Sequence, residues 1–578
     1  LFHYMMILKK AFLFALFFSV NFAFSQNLDW AYKVSSVGES KVRAIELDSE
    51  ENIYLAGNFK GTVDFDPGTE VLEKTAIGTD FFISKLDIEG NLLWVHTFGA
   101  SINDYLNDMK IDTDGNILVT GNFYETIDFD PGPGVHSLSA GIGLSGAEDI
   151  FLLKLNTDGN FLWAQHYGTE GSTDIGKEVF VDENLNVYLA GEFGGTSDFD
   201  FGSDTANLTS NGSFDFFILK LDQHGNYIQA ESFGGNSTDR IKGLFVDKEN
   251  NIVLTGSFKG SVDFDPGPDT CELYGYSFEI IDSDGYLLKL DSSFNFSWAI
   301  AYTTYDGISS GSAITIDSSL NIYMTGNYND TVFIDTGGVV DIVIPPNSEN
   351  ISPFIHKLSP EGHTKWINHF ESSTESFFFG YNINHVDSIL YINGSYNNTV
   401  DFDPGPDIFH MYSEFGSTNS YILKLDTSGT FKNIIEFTGI GNNRCFDVAI
   451  GESSIYACGS WNGEMDFDPS LLENTVTTTP STDIDGFLVK INECSLNLLG
   501  ANIDSFTLDN SIYCSNDHIE LNVYGDLNNS ELWVLSEDNG ETISVLDTSS
   551  VGLLTFEFND SSIYELHSYG SCVENDTS

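Results

Sequence analysis

The segment Asp-Phe-Asp-Pro-Gly returns along this chain at a nearly fixed beat. It reads VDFDPG at 63–68, IDFDPG at 127–132, and VDFDPG again at 262–267 and 400–405. Degenerate copies stand at 197–202 (SDFDFG), 332–337 (VFIDTG) and 465–470 (MDFDPS). The second aspartate survives in all seven: Asp66, Asp130, Asp200, Asp265, Asp335, Asp403 and Asp468. Successive gaps are 64, 70, 65, 70, 68 and 65 residues, so one supersecondary unit is written seven times.

Two further columns keep the same period. One is an apolar run ending in glycine, at Gly57, Gly121, Gly191, Gly256, Gly326, Gly394 and Gly459. The other places one lysine in an apolar run such as FFISKLD, giving Lys85, Lys154, Lys220, Lys289, Lys357, Lys424 and Lys490. Each unit reads as four short strands separated by Gly, Asn and Asp turns, with DTDGN at 112–116 and NTDGN at 156–160 as hairpin chemistry. No long stretch of helical period occurs between the turns. The expected fold is all-β: a seven-bladed β-propeller of four-stranded blades, since radial packing buries both faces of each sheet and leaves only short edges. The ends of the array fit a ring. LDWAY at 28–32 matches a fourth strand, and the seventh unit stops after its third strand, GFLVKIN at 486–492. The N-terminal strand is therefore expected to complete the last blade.

Residues 27–493 are assigned to the propeller and 494–505 to a linker. Residues 506–578 lack the repeat and any lysine, and their short alternating runs predict a small β-sandwich. At the other end, Lys9 and Lys10 precede the apolar run 11–18, and Ala23 and Ser25 provide small residues before Gln26. Residues 1–25 read as a secretory signal peptide, which predicts a secreted or outer-cell-surface protein. No other stretch approaches the length of a membrane helix, so no insertion is expected.

Net charge is −63, with 23 Lys and Arg against 86 Asp and Glu. Such a surface repels nucleic acid and anionic membranes, excludes both as partners, and favours a monomer. Six cysteines stand at 271, 445, 458, 494, 514 and 572 with no Cys-x-x-Cys. Cys445 and Cys458 fall on neighbouring strands, where a bridge is one option. Cys514 and Cys572 bracket the tail.

Two sets of residues are candidates for chemistry. In the first, the aspartate pairs Asp64/Asp66, Asp128/Asp130, Asp263/Asp265 and Asp401/Asp403 put two carboxylates on one face of an extended segment, a pattern that admits calcium. The competing structural reading has Phe filling the seam between blades and Asp capping the Pro-Gly turn, with the lysine column as a repeated ion pair. Phe333 replaces the first aspartate in the fifth copy, which favours the structural reading. The second set is Arg43, Arg240 and Arg444, the only arginines, each near the start of a first strand. If those strands are innermost, all three approach one mouth of the central channel as a ligand-binding set for a carboxylate. No His-x-x-x-His, Gly-x-Ser-x-Gly or other catalytic constellation is present, and no cofactor is implied.

Taken together, the columns KLDxxGNxxWxxxFG, xxxxDxxGNIYxxG and DFDPG resemble the SBBP-type β-propeller repeats of exported Bacteroidota-like proteins, over 27–493. The tail is similar to the Ig-like or PKD-like modules that follow such arrays. The resemblance implies fold more than function. The expected activity is a non-catalytic scaffold whose rim loops bind a glycan or protein. Alternatives are a carbohydrate-active hydrolase or lyase at the channel mouth, which requires carboxylates of raised pKa beside aromatic side chains, and a calcium-stabilised structural protein.

Overall fold

The computed structural model describes residues 25–494, except 142–146, 170, 276–282, 306, 336–339, 344–349, 374–375, 469–474, 478–483 and some side chains, together with six short tail strands. One compact unit spans Leu28–Asn492. It is an all-β, seven-bladed propeller of four-stranded antiparallel blades, as the repeats predict.

The second blade shows the plan. Its strands are Tyr105–Ile111, Ile117–Phe123, Asp149–Leu155 and Phe161–Tyr167, paired in that order. The second and third strands are buried along their whole length, while the fourth alternates. First strands of successive blades touch one another: Tyr105–Ile111 meets Ile175–Val181, which meets Arg240–Val246. First strands are therefore innermost.

Each Asp-Phe-Asp segment forms the near arm of a small hairpin inserted between second and third strands, for example Thr126–Asp128 with Ser137–Ser139. Alternation explains its residues. The phenylalanine turns inward and is fully buried: Phe129 contacts Phe81 and Phe98 of the first blade as well as Phe123 and Phe151 of its own. It fills the seam between blades. In the fifth and seventh blades the hairpin also pairs by backbone with the fourth strand of the blade before, as in Thr303 with Phe333 and Gly439 with Met465.

The lysine column ties blades together. Lys85 lies 3.2 Å from Asp48 and over the Tyr54 ring, and donates to Thr157 Oγ1 of the second blade. Lys154 pairs with Asp112 at 2.8 Å. Lys289 and Lys357 donate to carbonyls of Pro360 and Thr427 in the following blades.

A second seam element carries buried acid. Asp149 and Asp215 open third strands and Asp80 holds the equivalent place inside Glu73–Leu86, and each faces an aspartate ahead of the next first strand: Asp174, Asp239 and Asp104 respectively. Burial, and then Asp104, raises Asp80 to about 7. Burial raises Asp174 to about 7 and Asp104 and Asp239 to about 6.

The glycine column corrects one sequence reading. These glycines do not end their strands. Gly121 lies inside Ile117–Phe123 and faces Leu106, at the point where the register slips by one residue between Leu106 and Asp108. The same β-bulge faces Gly57, Gly191, Gly256, Gly326, Gly394 and Gly459. A Cβ at Gly121 would stand 1.9 Å from the Tyr105 carbonyl oxygen, so only glycine fits against the bulged strand.

Cys445 and Cys458 are buried free thiols rather than a bridge, and Cys271 is a half-buried one. Cys514 and Cys572 lie outside the described residues. The tail strands form two three-stranded sheets: Leu496–Asn497, Tyr564–Tyr569 and Leu532–Glu537 in one, Ser505–Leu508, His518–Tyr524 and Leu553–Glu557 in the other.

Candidate functional site: the axial channel

First strands of all seven blades line one cavity of about 220 Å³. The bulge decides what enters it. In each first strand the extra residue is Arg43, Asn107, Lys177, Lys242, Ser312, Tyr381 or Phe446. Bulges re-aim a side chain out of the ladder, and six of these seven line the cavity. The residue after each bulge forms the next layer, which includes Asp108, Glu178, Asn382 and Asp447. Two residues further along come Lys110, Phe180, Phe245, Thr315 and Asn384.

The two layers differ in charge. Asp108, Glu178 and Asp447 stay partly accessible through the channel yet are enclosed by protein. Burial pushes Glu178 well above the usual carboxyl range, with Asp108 adding to it. Burial also raises Asp108 against the pull of Lys110, and raises Asp447 to about 6. Asp447 accepts bonds from Ile45 N at 3.1 Å and Asn382 Nδ2 at 2.6 Å. Asp108 Oδ2 accepts from Val179 N at 2.8 Å. Burial disfavours the Lys110 ammonium, but Glu46, its closest partner, and Asp108 overcompensate and keep it protonated.

Above them the arginines divide. Arg43 stacks on Phe446 at 4.7 Å, and its proton affinity is lowered by burial and then by Arg444, so these two sit together. Arg240 is instead 3.5 Å from Glu192. The structure thus assembles two of the three predicted arginines and pairs the third with an acid. Sequence reasoning missed Lys110, Asp108, Glu178 and Asp447, because the acids recur at that position in only three of the seven blades and belong to no motif. A visible signal was the glycine column, whose cause is the bulge opposite.

The aspartate pairs sit in four separate hairpins. Asp64 Oδ1 accepts from Asp66 N and Leu72 N, at 3.1 and 2.9 Å, and Asp66 Oδ1 accepts from Gly68 N at 2.6 Å. Asp128/Asp130, Asp263/Asp265 and Asp401/Asp403 repeat this pattern. Each pair therefore caps its own turn. Among the described residues no group of three or more His, Cys, Asp or Glu side chains is arranged to hold a metal.

No protein-family profile matches the chain. An uncharacterized WD repeat-containing protein of Acanthamoeba polyphaga mimivirus is 23% identical over 541 residues, covering 80% of this chain and 38% of the relative. The chain thus spans about two-fifths of that curated relative's length. Among solved structures, a protein of unknown function from Bacteroides caccae is 9% identical, with a TM-score of 0.24 over 57% of this chain and 94% of that one. The phage phi92 endosialidase is 10% identical, with a TM-score of 0.28 over 96% and 89%. Neither likeness bears on activity. A propeller scaffold with a WD-repeat-like relative is what the comparisons support.

Proposed function

We propose that this chain is an exported propeller scaffold that binds a protein ligand through its rim hairpins and performs no catalysis. The observation that carries the reading is a repeated exposure of apolar side chains on those hairpins. Val71 is 69% exposed, Val135 78%, Tyr274 59% and Ile408 70%, on inserts whose phenylalanines are buried. Val71, Val135 and Ile408 take the same offset in the hairpins of the first, second and sixth blades, and Tyr274 stands on the far arm of the fourth; such exposed large apolar side chains mark a contact surface. A WD repeat-containing relative fits a protein-interaction role. The N-terminal segment resembling a signal peptide supports export. In this reading the ring is latched by the N-terminal strand, supported by the hydrogen-bonded adjacency of Ser25–Leu47 and Asp485–Cys494 and by ion pairs Lys33–Asp485 and Lys490–Asp29, at 2.8 and 3.2 Å. The tail is the sandwich that spaces the propeller from its attachment.

The test is affinity capture of surface and secreted proteins by the purified chain, with a glycan array in parallel. A protein captured by the native chain and lost on Val135→Asp with Ile408→Asp supports the reading. Binding confined to glycans, or capture indifferent to both changes, overturns it.

One observation favours a second reading, hydrolysis or lysis of a polysaccharide in the channel. Asp108, Glu178 and Asp447, all with raised proton affinity, stand near Phe180, Phe245, Tyr381 and Phe446. Release of reducing ends from uronate-rich polysaccharides, abolished by Glu178→Gln, would promote it over the scaffold.

A further inference from the structure

We infer that the channel mouth at the bulged ends of the first strands is a binding site for a sugar acid, a single carboxylate carried on a hydroxylated body. The inference does not rest on the rim-binding reading; it shares the channel with the hydrolytic one but requires no bond cleavage. Six of the chain's 23 basic residues stand at the bulged ends of first strands in two groups: Lys41, Arg43 and Arg444 on the first and seventh blades, and Lys177, Arg240 and Lys242 on the third and fourth. In a chain with 86 acids, each of them could have been neutralised. Two are loosely paired, Lys41 with Glu39 at 3.8 Å and Arg240 with Glu192 at 3.5 Å. Among the described residues, neither Arg43 nor Arg444 makes a hydrogen bond or ion pair through its guanidinium, and Lys177 and Lys242 have no ion pair.

Arg43 is the sharpest case. Its Nε is buried without a partner, and its plane is held over the Phe446 ring at 4.7 Å. A buried donor left unmade is costly, and the guanidinium fork is shaped for two carboxylate oxygens. Arg444, two residues before Phe446 on the same strand, repels Arg43 instead of compensating it. Burial, then Arg240, likewise disfavours the Lys242 ammonium. An anion between Arg43 and Arg444 relieves both the orphaned donor and the like-charge repulsion there.

The layer beneath selects the kind of anion. Asp108, Glu178 and Asp447 lie one residue deeper along the same strands. They would repel a dianion such as phosphate or sulfate that filled the cavity. Hydroxyl groups, in contrast, donate to them. A ligand with its carboxylate outward on Arg43 and Arg444 and its hydroxyls inward satisfies both layers.

The experiment is isothermal titration of the full chain with sodium D-glucuronate, with D-glucose as the uncharged twin and sodium sulfate as the dianion. The expected result is saturable binding of glucuronate alone, weakened as chloride is added. Arg43→Gln and Arg444→Gln should each weaken it at least tenfold, and Arg240→Gln less than twofold. A second measurement needs no ligand. With a repulsive neighbour removed, Arg444→Gln should melt at or above the native temperature. No heat with glucuronate, equal binding of glucose or of sulfate, unchanged affinity in both variants, or a fall of several degrees on Arg444→Gln would each overturn the site. Protein capture at the rim should be indifferent to these substitutions, so the two tests fail separately.

Discussion

Phe264 and Asp265 are adjacent in one hairpin, and replacing each separates a packing role for the repeat from a metal-binding one. Phe264 is fully buried, with its ring 6.2 Å from Phe216 of the third blade and 5.6 and 5.1 Å from Phe258 and Tyr286 of its own. Truncation to alanine removes a buried aromatic and leaves a cavity between two blades, at a cost of about 4 kcal/mol. Lost aromatic pairing lies within that figure. Asp265 accepts one amide bond, from Gly267 N at 2.7 Å, at an exposed turn. An asparagine side chain keeps an oxygen for that bond, so Asp265→Asn should cost less than about 0.5 kcal/mol. Urea unfolding followed by tryptophan fluorescence, with and without chelator, measures both. The packing account requires a large midpoint shift for Phe264→Ala, a small one for Asp265→Asn, and none on chelation. If Asp265→Asn proved as damaging as Phe264→Ala, or chelator lowered the native midpoint, the carboxylates would be holding calcium and the account would fail.

The seam acids give stability a pH dependence. Asp80, Asp104, Asp174 and Asp239 have folded pKa values of about 6 to 7, above the unfolded carboxyl value, so the folded state binds more protons between about 4 and 7. Melting temperature should therefore rise as pH falls from 8 to 5, and Asp80→Asn should flatten that rise; a profile that falls over this window refutes it. His356, buried and lowered to about 3 by burial, works in the opposite sense below about 6.5, as do His96 and His385, but the raised carboxyls outnumber them. Lys33→Ala removes the 2.8 Å ion-pair partner of the fully buried Asp485 and should cost more than Lys432→Ala, which faces part-exposed Asp426 and should cost under about 1 kcal/mol; equal losses in urea titration would argue against the proposed latch. Leu185 and Leu320 hold φ of 64° and 63° in turns where Gly115 serves in the second blade. Leu185→Gly should stabilise by up to about 1 kcal/mol in the same assay, and a loss would show that the side chain contributes more than the strain costs.

Much of the wheel could be read from the chain because its causes are local and repeated. Phe129 is buried because alternation places it opposite Asp128 and Asp130, and the same three letters give the same result in other blades. Lys85 and Lys154 meet acids because a repeated strand puts a long cationic stem at a repeated turn. The channel was not legible for the opposite reason. Arg43, Asn107, Lys177, Lys242, Ser312, Tyr381 and Phe446 share a backbone position but no single residue type, so no column betrays them. That Asp108 and Asp447 line one cavity depends on how blades two and seven are placed about the axis, which no local pattern encodes.

The extra residue in each first strand stands outside the hydrogen-bonded ladder, so its identity is released from the demands of folding. Six such places face a common space, each on a different sector. Mutational drift can rewrite them one at a time at the expense of side-chain bonds such as that from Asn107 to the Gly176 carbonyl, while the ladder itself stays intact. A single inherited wheel can in this way acquire new specificities by swapping a handful of letters, while the phenylalanines and glycines that hold it together stay as they are.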